Sequence, residues 1–335
     1  MQNPLISILT PFKNTEVFLD ECLQSIINQS YTNWELLIVD DSSADSSYKL
    51  VKTYAKQDRR IRLLKNSGSG IIDALRLAFK HSKGLFITRM DSDDIMYTNK
   101  LQILVNNLLK HGKHHIAIGQ VNYFSETGIG AGYKSYENWL NELTKTGSNY
   151  SEIYKECVIP SPCWMVYRED LLACNAFNPN IYPEDYDLAF RFYKHNYKCI
   201  PCNEVIHYWR DYSTRSSRTD SNYAENHFSS LKITNFLDID YNQHKTLVIW
   251  GAGTKGKITA KTLIEKRIPF RWICDNPKKI GRDIYGKKLE AFSTLKDIKN
   301  AQSIITVANK TAQKEIKQYM NSLDLKPIED YLFFC

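Results

Sequence analysis

Residues 84–94 read GLFITRMDSDD, a largely apolar run that stops at three carboxylates, Asp91, Asp93 and Asp94, within four positions. The run reads as a buried strand. An unpaired carboxylate costs on the order of several kcal/mol to bury, so the three acids are expected at the strand's carboxyl edge, where open α/β sheets take their ligands. Two carboxylates spaced D-x-D in a turn suit a hard divalent cation that keeps waters and shares its shell with substrate phosphates. An Asp-rich turn capping a helix near Thr98 fits the same letters.

Toward the amino terminus the pattern repeats. LISILTPF is a strand that ends at Pro11, and Val17, Leu19, Cys22, Leu23, Ile26 and Ile27 then recur at helical spacing behind Thr15, a candidate cap. WELLIVDDSSADSS carries a second strand into Asp40 and Asp41, with a helix from Ser46 to Gln57 behind it. IRLLK is a third strand, NSGSG a turn, and ALRLAF a helix leading back to the opening stretch. Strands alternating with helices predict an α/β domain with a mostly parallel sheet flanked by helices. Right-handed crossovers bring the strand ends to one edge, where Thr10, Asp41 and Asp91 to Asp94 converge.

SILTPFKNTEVFLDECLQSIINQSYTNWELLIVDDSSADSS, followed by GIIDALRLAFKHSKGLFITRMDSDDIM, resembles the nucleotide-binding half of glycosyltransferase family 2, inverting enzymes with the GT-A fold. The resemblance implies that Thr10, Pro11 and Asp41 line the donor nucleotide, with Thr10 and Asp41 at base and ribose. It implies that Asp91 and Asp93 hold a divalent metal, Mn2+ or Mg2+, against the diphosphate. Relatives often carry Asn where this chain has Arg76, and an Arg there is suited to pairing with a phosphate or with Asp40. The resemblance further implies a nucleotide-diphosphate sugar as donor, a UDP-sugar favoured, and a saccharide or lipid-linked acceptor, as in surface polysaccharide or glycolipid synthesis.

Downstream, HIAIGQVNYF reads as a strand and GIGAGYKSYENW as an aromatic loop whose Tyr133, Tyr136 and Trp139 either stack on a sugar or pack beneath the loop. In IYPEDYDLAFRFYKHNYK, Pro183 suits a helix's first turn and sets Glu184 and Asp185 at its positive amino end, where carboxylates are stabilised ionised. Compensation of the helix dipole alone accounts for such a pair. Its distance from the D-x-D resembles the family's catalytic pair, which implies Asp185 as the base and Glu184 as a neighbouring acceptor-site carboxylate. Relatives then show Arg, His two residues on, and Ser. Arg210 matches the Arg, a donor-site residue by resemblance, but Tyr212 stands in place of the His. His207 lies three residues before Arg210, facing the other side of a strand, and reads as a structural histidine. Arg215 and Arg218 are either diphosphate contacts or solvated loop charges.

A helix from Asn222 to Leu237 leads to TLVIWGAGTKGKITAKTLIEKRIPFRWICDN, a strand, turn, helix and strand ending in Asp275. Gly251, Gly253 and Gly256 have the spacing of a phosphate-cradling turn, and Asp275 stands where a ribose-binding acid is expected. The third glycine serves helix-strand packing equally well. With one more clear strand, SIITVA, this half resembles small Rossmann-like nucleotide-sugar-binding domains. The expected domains are residues 1–240, of GT-A type, and 245–335, Rossmann-like.

Composition narrows the classes. A net charge of +7, not gathered in one tract, fits anionic substrates or peripheral contact with an anionic membrane and does not imply nucleic acid. No apolar run approaches the roughly 18 residues of a membrane helix. MQNPLISILT lacks a signal peptide's basic start and apolar core, and eight scattered cysteines, with Cys199 and Cys202 as a lone C-x-x-C, read as reduced structural thiols of a cytoplasmic protein. A sugar nucleotidyltransferase is disfavoured by the absence of a Gly- and Arg-rich loop after the first strand. A nucleotide-sugar sensor or scaffold without turnover remains the other class, and an NAD oxidoreductase rests on the carboxy-terminal glycines alone.

Overall fold

Every residue of β1 (Ile6–Phe12) and of β2 (Trp34–Asp40) is buried, as befits strands covered on both faces. The computed structural model of the protein describes residues 3–219 and 225–335, with the side chains of 216, 217 and 225–227 left out. It separates into two units, residues 1–150 with 158–219, and residues 151–157 with 220–335. The second unit thus takes in the helix Glu225–Ile239, placed before the expected division at 240; the expected helix start at Asn222 lies outside the described residues.

In the first unit, helices α1 (Glu16–Ile27), α2 (Ser47–Gln57) and α3 (Ile71–His81) link β1, β2, β3 (Ile61–Lys65) and β4 (Phe86–Arg89). The order β3-β2-β1-β4 is parallel throughout. After β5 (Ile95–Met96) and α4 (Lys100–His111), the sheet gains β6 (His115–Ile118), which is followed by β7 (Gln120–Phe124). HIAIGQVNYF is therefore two strands, and Gly119 divides them: a Cβ there would sit 2.4 Å from the Ile206 side chain. Next come α5 (Ala131–Thr146), β8 (Trp164–Tyr167), α6 (Arg168–Ala173), α7 (Glu184–Lys194), β9 (Lys198–Ile200) and β10 (Val205–Arg210). The main sheet ends β4-β8-β6-β9, with β8 antiparallel to both neighbours. A small sheet, β5-β10-β7, lies beside it in the same unit.

The expected aromatic loop is α5 from Ala131 onward. Tyr136 and Trp139 fall one turn apart and pack against the main core, so helical period overrides the two glycines near its start.

The first unit closes with α8 (Ser216–Thr219), and the second holds α9 (Glu225–Ile239), β11 (Thr246–Trp250), α10 (Thr254–Glu265) and β12 (Arg271–Cys274). β13 (Asp283–Ile284), β14 (Lys287–Ala291), β15 (Ala301–Ile305), α11 (Lys310–Ser322) and β16 (Tyr331–Phe333) complete it. Its sheet has six strands, β13-β14-β12-β11-β15-β16, parallel apart from the β13–β14 pair. The one further strand expected, SIITVA, is β15; β13, β14 and β16 are additional to it. KKLEA alternates too weakly and YLF is too short to signal a strand alone. All eight cysteines are free, seven of them buried. Among the described residues no helix is long and apolar enough to cross a membrane.

Candidate active site

The Arg89 side chain, at the end of β4, joins the two acidic motifs of the first unit. Its guanidinium, 5% exposed, donates from Nε to Asp91 Oδ1 at 2.9 Å and from Nη1 to Glu184 Oε1 at 2.9 Å. A buried Arg survives only when paired, so the last residue of β4 ties the D-x-D turn to the first residue of α7. An arginine in a run otherwise fit for a core was the signal in the sequence. Asp185 follows Glu184 at the mouth of the same helix. Burial, with Glu184 beside it, raises its carboxyl above the usual range against the pull of Arg89. The helix's amino end was expected to favour the ionised form; the loss of water outweighs it.

The other acids are sorted by burial. Asp94 is fully buried, accepting from the Arg210 amide at 2.8 Å and lying 3.0 Å from His207 Nε2. His207 Nδ1 is 3.4 Å from the ammonium of Lys100, itself fully buried and donating to the Pro162 carbonyl at 2.5 Å. A lysine donates only, so His207 takes that proton at Nδ1 and donates from Nε2–H to Asp94. Burial, then Lys100, lowers the His207 pKa well below its ordinary value, which keeps the ring neutral. His207 is the structural residue the strand register predicted, and its partner is the acidic turn itself. Lys100, hidden in an amphipathic helix, went unread.

Asp93 is half-buried, and its Oδ2 accepts from Tyr212 Oη at 2.9 Å. Burial and the neighbouring Asp94 push its carboxyl up to about 7. Tyr212, in the place of the family histidine, thus reaches the D-x-D by a hydrogen bond. Arg215 is 8% exposed; burial opposes its charge, but Asp94 and Asp93 outweigh that and raise its pKa. Arg215 also lies over Trp209, which stacks on Tyr123 at 5.0 Å. Arg218 instead pairs with Asp211 at 2.8 Å. Arg210, expected at the donor, donates to the Asp93 carbonyl at 2.8 Å and to Glu21, its guanidinium between Phe18 and Phe124. It latches the acidic turn in place.

Among the described residues no three His, Cys, Asp or Glu side chains surround a point fit for an ion. The D-x-D pair still fits a divalent cation. Arg89 occupies one oxygen of Asp91 and Tyr212 one of Asp93, and the second oxygen of each makes no hydrogen bond among the described residues. Two hard oxygens with a shell completed by waters and phosphates is how magnesium is commonly bound.

On the neighbouring strands, Thr10 is fully buried and its hydroxyl has no hydrogen-bond partner among the described residues, while Pro11 continues the same buried strand. An orphaned buried hydroxyl is costly. Asp41 accepts from Asn66 Nδ2 at 2.7 Å and from the Gly70 amide at 3.0 Å, with Lys13 Nζ 3.6 Å away. Asp40 caps its own turn through the Ser43 amide at 3.0 Å. Arg76 does not pair with Asp40. It donates to Asp73 at 2.7 Å and to the carbonyls of Phe177 and Asn178, pinning the loop that leads into Pro183.

In the second unit the three glycines differ. Gly251 has φ +119°, a conformation that L side chains rarely adopt, and a Cβ on Gly256 would lie 2.1 Å from the Gly251 carbonyl oxygen. These two serve the turn and its packing. A Cβ on Gly253 would meet nothing within 4 Å, so Gly253 alone fronts open space; Asp275 is exposed.

A family model described as glycosyl transferase family 2 matches residues 7–174. A Haemophilus influenzae protein named an uncharacterized glycosyltransferase is 32% identical over 197 residues, 56% of this chain and 59% of that protein. This chain therefore spans less than two thirds of that relative's length. The Escherichia coli UDP-Glc:alpha-D-GlcNAc-diphosphoundecaprenol beta-1,3-glucosyltransferase WfgD is 30% identical over 242 residues, 69% of this chain and 84% of that protein. Among solved structures, S. aureus TarS in complex with UDP-GlcNAc aligns with a TM-score of 0.55 at 17% identity, over 77% of this chain and 71% of that one. The mannosyltransferase PcManGT of Pyrobaculum calidifontis, in complex with GDP-Man and Mn2+, aligns at 0.53 and 17% over 71% and 64%. At such identities the likeness is one of fold, here the GT-A fold. With its first half matched by the family model and a 30% identical relative covered over most of its length, the chain belongs to glycosyltransferase family 2.

Proposed function

We propose that the first unit is a metal-dependent, inverting glycosyltransferase that moves a sugar from a nucleotide-diphosphate donor to an acceptor hydroxyl. The observation that carries this is the Arg89 bridge, which fixes the D-x-D and the Glu184–Asp185 pair within one site. Asp91 and Asp93 would hold a divalent ion, each having an oxygen free of hydrogen bonds among the described residues. When bound, the ion neutralises the charge that gathers on the leaving diphosphate. Thr10 and Pro11 back the nucleoside from β1, and Asp41, fixed by the Gly70 amide, presents its carboxylate to the ribose. Asp185 takes the proton from the acceptor hydroxyl, whose oxygen attacks the anomeric carbon from the face opposite the diphosphate. A base whose carboxyl is raised toward the working pH holds that proton better than an ordinary carboxylate. Glu184, neutralised by Arg89, stands as the acceptor-side wall.

WfgD's named UDP-glucose donor and diphosphoundecaprenol-linked acceptor support a UDP-sugar and a lipid-linked saccharide for this chain. Such an acceptor brings the enzyme to the inner membrane face, which a net charge of +7 favours. A scaffold that binds without turnover has no use for a carboxyl tuned like that of Asp185. The test is calorimetric titration with UDP- and GDP-sugars, with and without Mn2+. The reading expects one donor class to bind at least about tenfold tighter with the metal; equal binding after chelation contradicts the metal assignment.

A further inference from the structure

The second unit encloses a cavity of about 250 Å3 between α9, the amino-terminal turns of α10 and the chain beyond β15 and β16. The turn glycines and Asp275 do not line it. Lys255, Ile258 and Thr259 come from one face of α10, and Phe228, Lys232 and Phe334 close the other side. Lys232 is 6% exposed and fixed by the carbonyls of Lys155 at 2.6 Å and Phe334 at 3.4 Å. The Lys255 carbonyl accepts from Thr259 Oγ1 at 3.0 Å, but its ammonium makes no hydrogen bond or ion pair among the described residues. Lys232 and Lys255 both line the cavity, whereas Lys155 lies outside the lining and pairs with Glu152. Glu156, also in the wall, has one carboxylate oxygen taken by the Cys157 amide at 3.0 Å. Two ammonium groups against the one carboxylate of Glu156 leave the lining positive, and α10 adds the positive end of its dipole with no side chain capping it.

We propose that this cavity binds a small organic phosphate, of sugar-phosphate or nucleoside-monophosphate size. Its phosphate sits on Lys255 at the amino end of α10, with Lys232 behind, and its organic part lies against Phe228, Ile258 and Phe334. Pockets that swallow larger ligands run to roughly 300–1,000 Å3, so a dinucleotide does not fit inside. The site is separate from the transferase chemistry and stands whether or not that reading holds. It also gives the basic turn residue Lys255 a use that glycine spacing alone does not.

The test is calorimetric titration of the full chain with inorganic phosphate, glucose 1-phosphate, UMP and NAD. Wild type is compared with Lys255→Glu, Lys255→Arg and the cavity-filling Ile258→Trp, each checked for folding by its circular-dichroism melt. Glucose 1-phosphate or UMP should bind, weaken roughly tenfold or more in Lys255→Glu, and change little in Lys255→Arg. The site is refuted by binding of neither organic phosphate, or by binding that survives both Lys255→Glu and Ile258→Trp, which places it elsewhere on the chain. Inorganic phosphate binding as tightly as the organic phosphates, or NAD binding more tightly than either, refutes the assigned ligand.

Discussion

The carboxyl edges of the two sheets present opposite chemistry. In the first unit acids crowd the edge and their positions are cross-linked: Arg89 holds Asp91 and Glu184, Arg210 and His207 hold Asp94, and Tyr212 holds Asp93. In the second, ammonium groups face a cavity and that of Lys255 is unpaired among the described residues. The difference teaches how each edge is preorganised. Like charges brought together need a scaffold of counter-charges to stay folded, so the acidic edge is rigid by necessity. The basic edge fixes Lys232 on two carbonyls and leaves Lys255 as a long, adaptable side chain.

The comparison breaks first at Asp93. Asp93→Ala should abolish transfer and metal-dependent donor binding, a loss on the order of 10³-fold or more, while circular dichroism shows an intact fold. Full activity of this variant in chelated buffer removes the metal from the account.

Asp185→Asn should lower turnover by about 10² to 10⁴ while donor affinity stays near wild type. Because burial raises this carboxyl, wild-type turnover should fall as pH drops through a value above the ordinary carboxylate range, and the variant should lose that limb. The sign for stability is opposite. A carboxyl raised on folding stabilises the protein below its unfolded pKa, and that stability is lost as pH rises through the folded value. Asp185→Asn should therefore melt higher than wild type at pH 8. A fall in donor affinity matching the fall in turnover would move Asp185 to the donor site.

Arg89→Met should cost about 3–5 kcal/mol in urea unfolding, the usual result of stranding buried partners of an ion pair. Asp91→Asn combined with it should recover part of the loss, since one stranded charge is gone. A cost near zero would mean that the bridge does not hold the acidic edge together.

These effects also show where the sequence was legible. Strands β1 to β4 and their helices announce themselves through long apolar runs and period, and the ends of those runs place Thr10, Asp41 and the D-x-D. The E-D pair was legible through Pro183 and the turn before it. What escaped was long-range pairing: nothing in the letters says that Arg89 reaches across to Glu184, 95 residues away, or that Lys100 turns inward to His207. Arg76 illustrates the same limit, since its choice of the Phe177 and Asn178 carbonyls over Asp40 depends on a loop a hundred residues on. In the second unit, three glycines with one spacing turned out to do different work, because spacing does not reveal what a Cβ would meet.

The smallest effect separates those glycines. Gly256→Ala should lose about 1–3 kcal/mol by forcing a methyl into the Gly251 carbonyl, and Gly253→Ala under about 1 kcal/mol, the cost of a poorer helix start. Equal losses in thermal melts would mean that the turn is not packed as described.

The most direct test of the central claim is proton NMR of the sugar released when a panel of α-linked nucleotide sugars is incubated with the enzyme and Mn2+. The account predicts that one donor is hydrolysed with the β-anomer appearing first, and that Asp185→Asn suppresses its appearance. First appearance of the α-anomer, or no hydrolysis of any donor in the panel, would contradict an inverting transferase built on Asp185.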